Sequence, residues 1–559
     1  MWIRSTHEIT EDTPFGFYSI NMKYAINREA DREETLRTFK EIQASAMTEY
    51  LKIFNDPIHG HIELHPLCVK IIDTPEFQRL RHIKQLGACY FVYPGAAHNR
   101  FEHCLGVCHL AGELVRAINS RQPQYCITST DILCVEIAGL CHDLGHGPFS
   151  HMFDGKFIPQ ALPELDWEHE QASVDMFDHL VKKNDLVSAF EEYGLTEKDR
   201  IFIKEQIKRP SKDQQQESHN DWSCKGRDRS KSFLYEVVAN KRNGIDVDKW
   251  DYFARDCHNL GISNNFDHLR FIKFARVLKV DDELQICSRD KEVQTLYDMF
   301  NTRVTLHKRA YQHRVNVIIE CMITEAFLKA DKLIKFQGTG GKMLTMSESI
   351  HDMEAYSKLN DCVFDRILNS RDPGLKEARD ILRKILQRKF YKWVGQTKPK
   401  NKVYEKSDNE RIKAEIVANG EEEDRQALKD NLIVEIISMN YGMKDLNPID
   451  HVRFYNKSKP EIAMMIRKEE VSRMTPSEFT DQSVYLFTRR DDPEFYQKAL
   501  DTFKKWCEGK KFSQPRGGSF TSVTMTPHKR QNPDTEEKHM SKRKREDTKR
   551  DLCNQYGNK

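Results

Sequence analysis

An apolar run is followed by the stretch His142-Asp143-Leu144-Gly145-His146-Gly147-Pro148-Phe149-Ser150-His151, which indicates the fold class. The run opens with the capping signal Ser129-Thr130-Asp131, and its apolar residues then recur at helical spacing: Ile132, Val135, Ala138 and Leu140. We therefore predict a buried helix that ends at an adjacent His and Asp. This pair sets an imidazole nitrogen beside a carboxylate oxygen, which suits iron, manganese or zinc.

Two further residues extend this pair to a ligand set. His103 begins a second helical pattern after Asn99, and Asp248 lies in a segment that follows Gly244. Taken singly, His103 is more typical of a core histidine, and Asp248 of a surface acid or salt-bridge partner. The doublet is more specific, because two buried polar groups would need partners. In the order H, HD, D the residues favour a metal site.

The fold class predicted from these patterns is mainly α, with a helical core and a small α+β C-terminal lobe. The helical core contains a further run at three- and four-residue spacing: Cys104, Val107, Leu110, Ala111 and Leu114. The lobe is indicated by β-branched and aromatic runs at Leu432–Ile437 and Ser483–Phe487. We divide the chain into an N-terminal extension, the core, a mobile connector rich in Lys and Glu, the lobe and a disordered basic tail, at 1–50, 51–395, 396–431, 432–507 and 508–559.

Composition excludes several classes of protein. The 559 residues are 38% hydrophobic and 31% charged, with a net charge of only +2, so general electrostatic binding of nucleic acid is not indicated. We expect no membrane span, because the run from Ile132 to Leu144 is short and interrupted by Glu136, and no secretory signal. The fourteen cysteines include no CxxC pair and are expected to be reduced. Neither a GxxxxGK[ST] loop nor a GxGxxG fingerprint is present.

Four strings carry a resemblance to a known family: Asn55–Gly60, His98–His103, His142–His151 and Asp246–Asp256. The chain resembles the HD superfamily of phosphohydrolases and, more closely, the vertebrate sterile-alpha-motif and HD-domain-containing deoxynucleoside triphosphate triphosphohydrolases. The resemblance covers most of residues 50–395 and continues more weakly to about 507. It does not extend to a sterile alpha motif domain, because the residues before Lys52 are too few and too polar for one.

The resemblance implies roles for individual residues of the active site. The implied metal ligands are His103, His142, Asp143 and Asp248; the catalytic residues are His146, His169 and Asp154. It further implies that nucleotide substrate, with Mg²⁺, meets Gln85, Leu86, Arg100, His151, Lys249, Tyr252, Asp256, Arg303, Tyr311 and Gln312. In this scheme Tyr311 closes the space at C2′ against ribonucleotides. Arginine and lysine bind phosphate oxygens, and a histidine of ordinary pKa near about 6.5 can donate a proton to the leaving oxygen.

The resemblance also implies activation by nucleotides and assembly into a homotetramer. A site for GTP or dGTP would use Lys52, Ile53, Asp73, Gln78 and Arg81. A neighbouring site for a deoxynucleotide would use Asn55, Val92, Tyr93, Arg270, Arg289, Lys291, Arg309, His313 and Lys468. Without the resemblance, we would interpret these residues as an ordinary basic interface or helix face. The implied cellular roles are control of deoxynucleotide levels, restriction of viral DNA synthesis, DNA replication and repair, and innate immunity.

The C-terminal tail carries two short motifs. Thr526-Pro527-His528-Lys529 fits a proline-directed phosphorylation site, and Lys542-Arg543-Lys544-Arg545 fits a nuclear import signal or a solubilising tail. We expect a nuclear protein with a cytoplasmic pool. Two other functions stay open at this point: an HD-type phosphodiesterase or nuclease, and a protein that binds single-stranded nucleic acid without catalysis.

Overall fold

The computed structural model describes four ranges of the chain: 51–210, 222–400, 404–472 and 476–517. The predicted N-terminal extension, Thr526 and the basic tail motif lie outside these ranges. Within them helices dominate, and the prediction of a mainly α fold with small sheets in the C-terminal region is confirmed.

The helices are numbered here in chain order. They are α1 (Pro66–Ile72), α2 (Pro75–Gln78), α3 (Arg100–Arg121), α4 (Ser129–Cys141), α5 (Ile158–Ala161), α6 (His169–Lys183), α7 (Val187–Glu192), α8 (Glu197–Ile207), α9 (Val247–Leu260), α10 (His268–Phe274), α11 (Val293–Leu306), α12 (Arg314–Ala330), α13 (Met353–Tyr356), α14 (Cys362–Leu368), α15 (Lys376–Leu386), α16 (Asn409–Ala418), α17 (Arg425–Asn431), α18 (Lys468–Val471) and α19 (Pro493–Gly509). Two π-helical turns, Phe153–Phe157 and His307–Tyr311, interrupt this pattern.

The strands form four small sheets. They are β1 (Lys52–Asp56), β2 (Gly60–Leu64), β3 (Arg276–Val280), β4 (Glu283–Arg289), β5 (Lys335–Gln337), β6 (Met343–Thr345), β7 (Lys392–Thr397), β8 (Leu432–Asn440), β9 (Phe454–Asn456), β10 (Lys459–Met464), β11 (Thr480–Thr488) and β12 (Arg516–Gly517). β1 pairs with β2 and β5 with β6 as antiparallel hairpins. The four-stranded sheets have the orders β10-β9-β4-β3 and β12-β7-β11-β8.

The helical core is built on α3, α4 and α9. Both predicted helices are present: α3 starts at Arg100, where Glu102 accepts the backbone N–H of Asn99, and α4 is capped by a reciprocal pair of hydrogen bonds between Thr128 and Asp131. The cap is thus one residue earlier than the sequence signal. α3 packs against both α4 and α9, and apolar faces of all three lie in the main hydrophobic core. Their termini therefore converge at one buried point.

The segment expected to be a mobile connector is folded where the structure describes it. Residues 404–431 form α16 and α17, whose buried Ile412, Ile416 and Leu428 join the core of the C-terminal lobe. The Lys- and Glu-rich runs occupy the exposed faces. The average composition therefore did not reveal Ile412 and Ile416, an apolar pair at positions i and i+4 of one helix. β7 also crosses the boundary predicted at residue 395 and belongs to the sheet of the lobe.

Strand β8 attaches the lobe to the core because its alternate residues face different neighbours. Val434 and Ile436 lie in the core of the lobe, whereas Ile437 joins the main core. Next to Ile437, Glu435 forms a largely buried ion pair at 2.5 Å with Lys156 of the first π-helical turn. The lobe therefore contacts the same turn that carries Asp154.

Two properties expected from the sequence can be compared with the described ranges. All thirteen cysteines there are free thiols. None of the helices in these ranges combines the length and the apolar composition needed to cross a membrane.

Candidate active site

The four predicted metal ligands converge at the ends of three helices. His103 lies in the first turn of α3, His142 and Asp143 follow α4, and Asp248 lies in the first turn of α9. His103 Nε2 lies 3.2 Å from Asp248 Oδ1 and 3.5 Å from Asp143 Oδ2. His142 Nε2 lies 3.4 Å from an oxygen of each carboxylate. Residues more than a hundred positions apart thus form one cluster.

Hydrogen bonds at the far side of each imidazole fix which nitrogen faces this cluster. His103 Nδ1 lies 2.7 Å from Asp251 Oδ2, and His142 Nδ1 lies 2.8 Å from the carbonyl oxygen of Gly139. Both partners are acceptors, so each Nδ1 carries a proton, and in the neutral imidazole Nε2 presents the lone pair. Both Nε2 atoms are buried and make no hydrogen bond. Imidazoles held in this way are typical of metal ligands with a supporting carboxylate or carbonyl.

The electrostatics of the cluster favour a positive charge at its centre. Burial alone would lower the pKa of His103, but the carboxylates of Asp248 and Asp251 raise it to about 10. Burial likewise opposes a charge on His142, yet Asp143 raises its pKa above the ordinary value. A divalent cation would neutralise the same carboxylates and leave both imidazoles neutral. The residues present therefore fit a divalent metal.

Close packing around the loop after Asp143 explains its glycines. A Cβ at Gly145 would lie 2.3 Å from the carbonyl oxygen of His169, so glycine allows the start of α6 to approach the loop. Arg79, which the sequence analysis did not identify, donates from its two terminal nitrogens to the carbonyls of Leu144 (3.0 Å) and His146 (2.6 Å). The buried guanidinium of Arg79 thus fixes the backbone between His142 and His146.

Phe149 and Ser150 have left-handed backbone conformations, with φ angles of 60° and 55°. The N–H of Phe149 donates to half-buried Asp361 (2.7 Å). Ser150 Oγ donates to the carbonyl of Lys84 (2.6 Å) and accepts from Arg100 Nε (3.0 Å). These bonds fix a strained turn beside the metal cluster.

The predicted catalytic residues form a second group next to the first. The rings of His146 and His169 stack with centroids 4.0 Å apart. His169 Nδ1 lies 2.8 Å from Asp154 Oδ2, which also lies 3.3 Å from Nδ1 of the exposed His151. His146 Nε2 lies 3.4 Å from Asp143 Oδ1 and so connects the two groups.

The two stacked histidines have pKa values pushed in opposite directions. Burial, together with the charges of Arg100 and His169, holds the pKa of His146 well below its ordinary value. Burial would also lower the pKa of His169, but its bond to Asp154 raises it. Pairs separated in this way divide the work of proton acceptor and proton donor. His169 is therefore the ring of the pair that favours the protonated form, and its role as a proton donor stays a prediction.

A cavity of about 300 Å³ opens onto these groups and is lined by His142, Asp143, Asp248, His169 and Lys249. Lys249 is paired with Asp246 at 3.0 Å. Arg303 donates to Tyr252 Oη (3.0 Å) and to the carbonyl of Asn440 on β8 (3.2 Å). The structure thus brings two of the predicted phosphate-binding cations to the active-site region.

Arg100 differs from these cations because it is buried. Its terminal nitrogens donate to Asp143 Oδ2 (2.5 Å) and to the carbonyl of Gln85 (3.3 Å), in addition to the bond with Ser150. In this structure the guanidinium therefore supports a metal ligand. Its predicted contact with phosphate stays a prediction.

Tyr311, which the resemblance places at C2′, contacts Asp256 of the same predicted substrate-binding set. Asp256 accepts a hydrogen bond from Tyr311 Oη at 2.5 Å and lies 2.7 Å from His98 Nε2, a residue absent from the predicted set. Gln312 donates to the carbonyl of Ser438 on β8 at 2.9 Å. Gln85 is buried with its Oε1 unpartnered, and Leu86 packs partly buried against the core.

Both π-helical turns coincide with predicted site residues, which the helical periodicity of the sequence did not reveal. Phe153–Phe157 carries Asp154, and His307–Tyr311 ends at Tyr311. Such turns are frequent at functional sites. The second turn also contains His307, whose ring lies 4.9 Å from that of Tyr311. Burial and the charge of Arg303 hold the pKa of His307 well below its ordinary value.

The first predicted activator set lies on the surface of the single chain. Lys52 and Ile53 are exposed on β1, and Asp73 is exposed after α1. Arg81 Nε donates to Gln78 Oε1 at 2.7 Å. Within the described ranges this is the one direct hydrogen bond or ring contact inside the set.

The second predicted activator set forms two contact groups. In one, Tyr93 Oη donates to the carbonyl of Arg309 at 2.5 Å, and its ring lies 6.4 Å from that of His313. In the other, Arg270 and Lys291 both lie over the ring of Phe274, at 5.2 Å and 4.2 Å from its centroid. The remaining members lie elsewhere: Asn55 on β1, Val92 before Tyr93, Arg289 on β4 and Lys468 on α18.

Comparison with known proteins identifies the family of the chain. The profile of the HD domain matches residues 100–256, which contain all four predicted metal ligands. The human deoxynucleoside triphosphate triphosphohydrolase SAMHD1 is 54% identical over 485 residues, covering 86% of this chain and 77% of the human protein. The chain belongs to this family.

Other members of the SAMHD1 family have similar coverage. The Xenopus laevis protein is 54% identical over 490 residues, covering 86% of this chain and 78% of its own length. A homolog from Dictyostelium discoideum is 37% identical over 442 residues, covering 78% of this chain and 77% of its own. The family predicted by resemblance is therefore confirmed, whereas the roles assigned to single residues stay predictions.

Proposed function

We propose that the protein hydrolyses deoxynucleoside triphosphates to a deoxynucleoside and inorganic triphosphate. The observation that carries this proposal is the meeting of two groups: His103 and His142, whose Nε2 atoms are buried and unpartnered, and the stacked pair His146 and His169 beside them. Membership in a family whose relatives are named for this reaction supports it.

A divalent metal (iron, zinc or manganese) held by His103, His142, Asp143 and Asp248 would polarise a phosphoryl oxygen and make water more acidic. The fit of these residues rests on their fixed Nδ1–H groups and on the excess of carboxylate charge around them.

Proton donation to the leaving group is the task assigned to His169. A water oxygen forms the new bond to the α-phosphorus, the bond from phosphorus to the 5′-oxygen breaks, and the 5′-oxygen takes the proton of His169. One proton of the attacking water is released and restores the protonated His169. Asp154 favours the protonated form of His169 and orients its ring through the 2.8 Å bond. The neutral His146 holds the adjacent position without adding a second charge.

Substrate binding is assigned to the cations and polar groups around the cavity. Lys249 and Arg303, with Mg²⁺ on the nucleotide, compensate the triphosphate charge. Asp256 accepts the sugar 3′-hydroxyl, and Tyr311, held against it, fills the space that a 2′-hydroxyl would need. The remaining wall of the substrate-binding site is assigned to Gln85, Leu86 and Gln312. His151 contacts phosphate from the exposed side.

Product analysis tests the reaction. The full chain is incubated with a deoxynucleoside triphosphate, with and without GTP, and the products are separated. We expect deoxynucleoside plus triphosphate, and more of both with GTP. Monophosphate plus pyrophosphate, or diphosphate plus phosphate, would contradict attack at the α-phosphorus. Consumption of cyclic nucleotides or single strands instead would favour the phosphodiesterase or nuclease alternative.

Activation by nucleotide-driven assembly into a homotetramer is the second part of the proposal. It is supported by two sets of surface residues that a second chain would complete, with Asp73 accepting from the N1 and N2 groups of guanine. Polyphosphate and Mg²⁺ would offset the repulsion between cations such as Arg309 and Lys291. A ligand that binds only the assembled form shifts the equilibrium towards it. Sedimentation with GTP plus a deoxynucleotide should give a tetramer for the wild type but not for Asp73→Ala; full activity of a monomer would refute the idea.

Cellular roles follow from the same reaction. We assign the protein to the nucleus, where it would lower deoxynucleotide levels and so limit viral DNA synthesis, with effects on replication, repair and innate immunity. Thr526 would be a regulatory phosphorylation site, and single-stranded nucleic acid a further partner. Deleting residues 540–559 should move the protein to the cytoplasm; unchanged nuclear accumulation would place the import signal elsewhere.

A further inference from the structure

The turn between β1 and β2 is attached to the catalytic core through Asp56 and His59. Asp56 Oδ1 accepts the N–H groups of Ile58 (2.8 Å) and His59 (2.9 Å), which fixes the turn. Its other oxygen accepts from Arg255 Nη1 on α9 at 2.8 Å. His59 Nε2 lies 2.7 Å from Asp251 Oδ1, and its side chain is only 3% exposed. The turn is thus tied to α9 by one charged and one imidazole contact.

Asp251 connects this turn to the metal cluster. It lies one helical turn after Asp248, fully buried. Its Oδ1 is shared by His59 and Arg255 Nη2 (2.9 Å), and its Oδ2 by His103 Nδ1 (2.7 Å) and Arg255 Nε (2.9 Å). Every acceptor position of the carboxylate is therefore occupied. A change at His59 or Arg255 alters the group that sets the orientation and tautomer of His103.

Gly106 on α3 shows how closely this arrangement is packed. A Cβ at this position would lie 1.8 Å from Asp251 Oδ1 and 2.6 Å from Arg255 Nη2. Gly106 is three residues after His103 and therefore lies on the same face of α3. The helix that carries His103 thus has a glycine where it packs against the side chains of Asp251 and Arg255.

We infer that the β1–β2 turn is part of the scaffold of the metal site, and that His59 and Asp56 are positioning residues for His103. The inference rests on the metal centre of the proposed function. His59 and Asp56 hold Asp251 and Arg255 in place, and Asp251 keeps the Nε2 lone pair of His103 aimed at the cluster. Supporting groups of this kind typically change metal affinity by about 10–100-fold when they are removed.

Metal affinity measured without nucleotide tests the inference. Full-length wild type, His59→Leu and His59→Gln are loaded with Mn²⁺ or Zn²⁺ in competition with a chelator. His59→Leu removes the donor to Asp251 and should weaken binding by about 10–100-fold. His59→Gln keeps an N–H donor and should recover most of the affinity. His61→Leu, at an exposed histidine of the same hairpin, is the matched control and should bind as the wild type does.

Two results would overturn the inference. One is wild-type affinity in His59→Leu; the other is an equal loss in the Leu and Gln variants, which would point to general packing. If His59→Leu does not fold, Asp56→Asn replaces it, because the amide oxygen still caps the turn while the charged bond to Arg255 is lost. Wild-type metal affinity in folded Asp56→Asn would then refute the inference.

The readout separates this inference from the proposed reaction. Chelator competition involves no substrate, so the predicted order of affinities together with the wrong products would defeat the reaction and leave the positioning role intact. Unchanged metal affinity in His142→Ala would show that the metal does not bind at this cluster, and both ideas would fail.

Discussion

Two groups of histidine and aspartate lie side by side in this protein, and their residue types are nearly the same. In each, the ligand atoms lie within 4.8 Å of one another: His103, His142 and Asp143 in the first, and His146, His151, Asp154 and His169 in the second. In the first group both Nδ1 atoms are bound by acceptors outside it, and both Nε2 atoms lack hydrogen bonds.

The second group uses its nitrogens differently. His169 and His151 turn Nδ1 towards the same carboxylate, Asp154, and His146 stacks on His169. The comparison teaches that residue type alone does not separate a metal site from a proton-transfer site. What separates them is the acceptor bound to Nδ1, which lies outside the first group but inside the second.

The largest effect should come from removing two ligands of the first group. His142→Ala combined with Asp143→Ala should abolish metal binding and lower turnover roughly 10³-fold or more, because several kcal/mol of charge stabilisation are lost. Elemental analysis and triphosphate release measure the two effects. His258→Ala, at an exposed site on α9, is the control. Retained metal with normal turnover would refute the ligand set.

Removing the proton donor of the second group should separate chemistry from metal binding. His169→Ala should lower kcat by about 10²–10⁴-fold while metal content stays as in the wild type, because general acid catalysis has this range. Steady-state kinetics and elemental analysis on the same preparation provide the check. Loss of metal in this variant would mean that the two groups act as one site.

The acidic partner of His169 should control the pH dependence. Burial alone would lower the pKa of His169, and Asp154 raises it, so the active protonated form persists to higher pH. Asp154→Asn removes the charge and should therefore lower this pKa, so that the basic limb of the kcat profile moves to lower pH. A profile of unchanged position, measured with saturating metal, would assign the proton donor elsewhere.

The smallest effect is expected at the exposed member of the second group. His151 has a 70% exposed side chain and lies 3.3 Å from Asp154, a weak contact. His151→Gln should raise KM by about tenfold or less, the size of one ordinary hydrogen bond, with little change in kcat. A loss of kcat equal to that of His169→Ala would place His151 in the proton-transfer step.

The sequence was sufficient for the parts of the site that repeat a helical period. The patterns around Leu140 and Leu110 predicted α4 and α3, and the order H, HD, D predicted which side chains would meet. Asp251 was within reach of the same reasoning, because it follows Asp248 by three residues on one face of α9.

Other features could not be read from periodicity. His59 is some two hundred residues from Asp251, and only the folded chain shows their contact. The π-helical turn at Asp154 depends on one extra residue per turn, which leaves no mark in composition. The orientation of the His142 ring depends on the hydrogen bond of Nδ1 to the backbone carbonyl of Gly139. No pattern of side chains in the sequence indicates this bond.

The left-handed conformations of Phe149 and Ser150 place backbone strain beside the active site. Each costs of the order of 1–2 kcal/mol for a residue other than glycine. Glycine at position 150 would relieve that strain, but it would also remove the hydroxyl that holds Arg100 behind Asp143. Loss of this hydroxyl would leave Arg100 Nε and the Lys84 carbonyl without their partner, at about 1–3 kcal/mol, so Ser150→Gly should gain little stability while it lowers turnover.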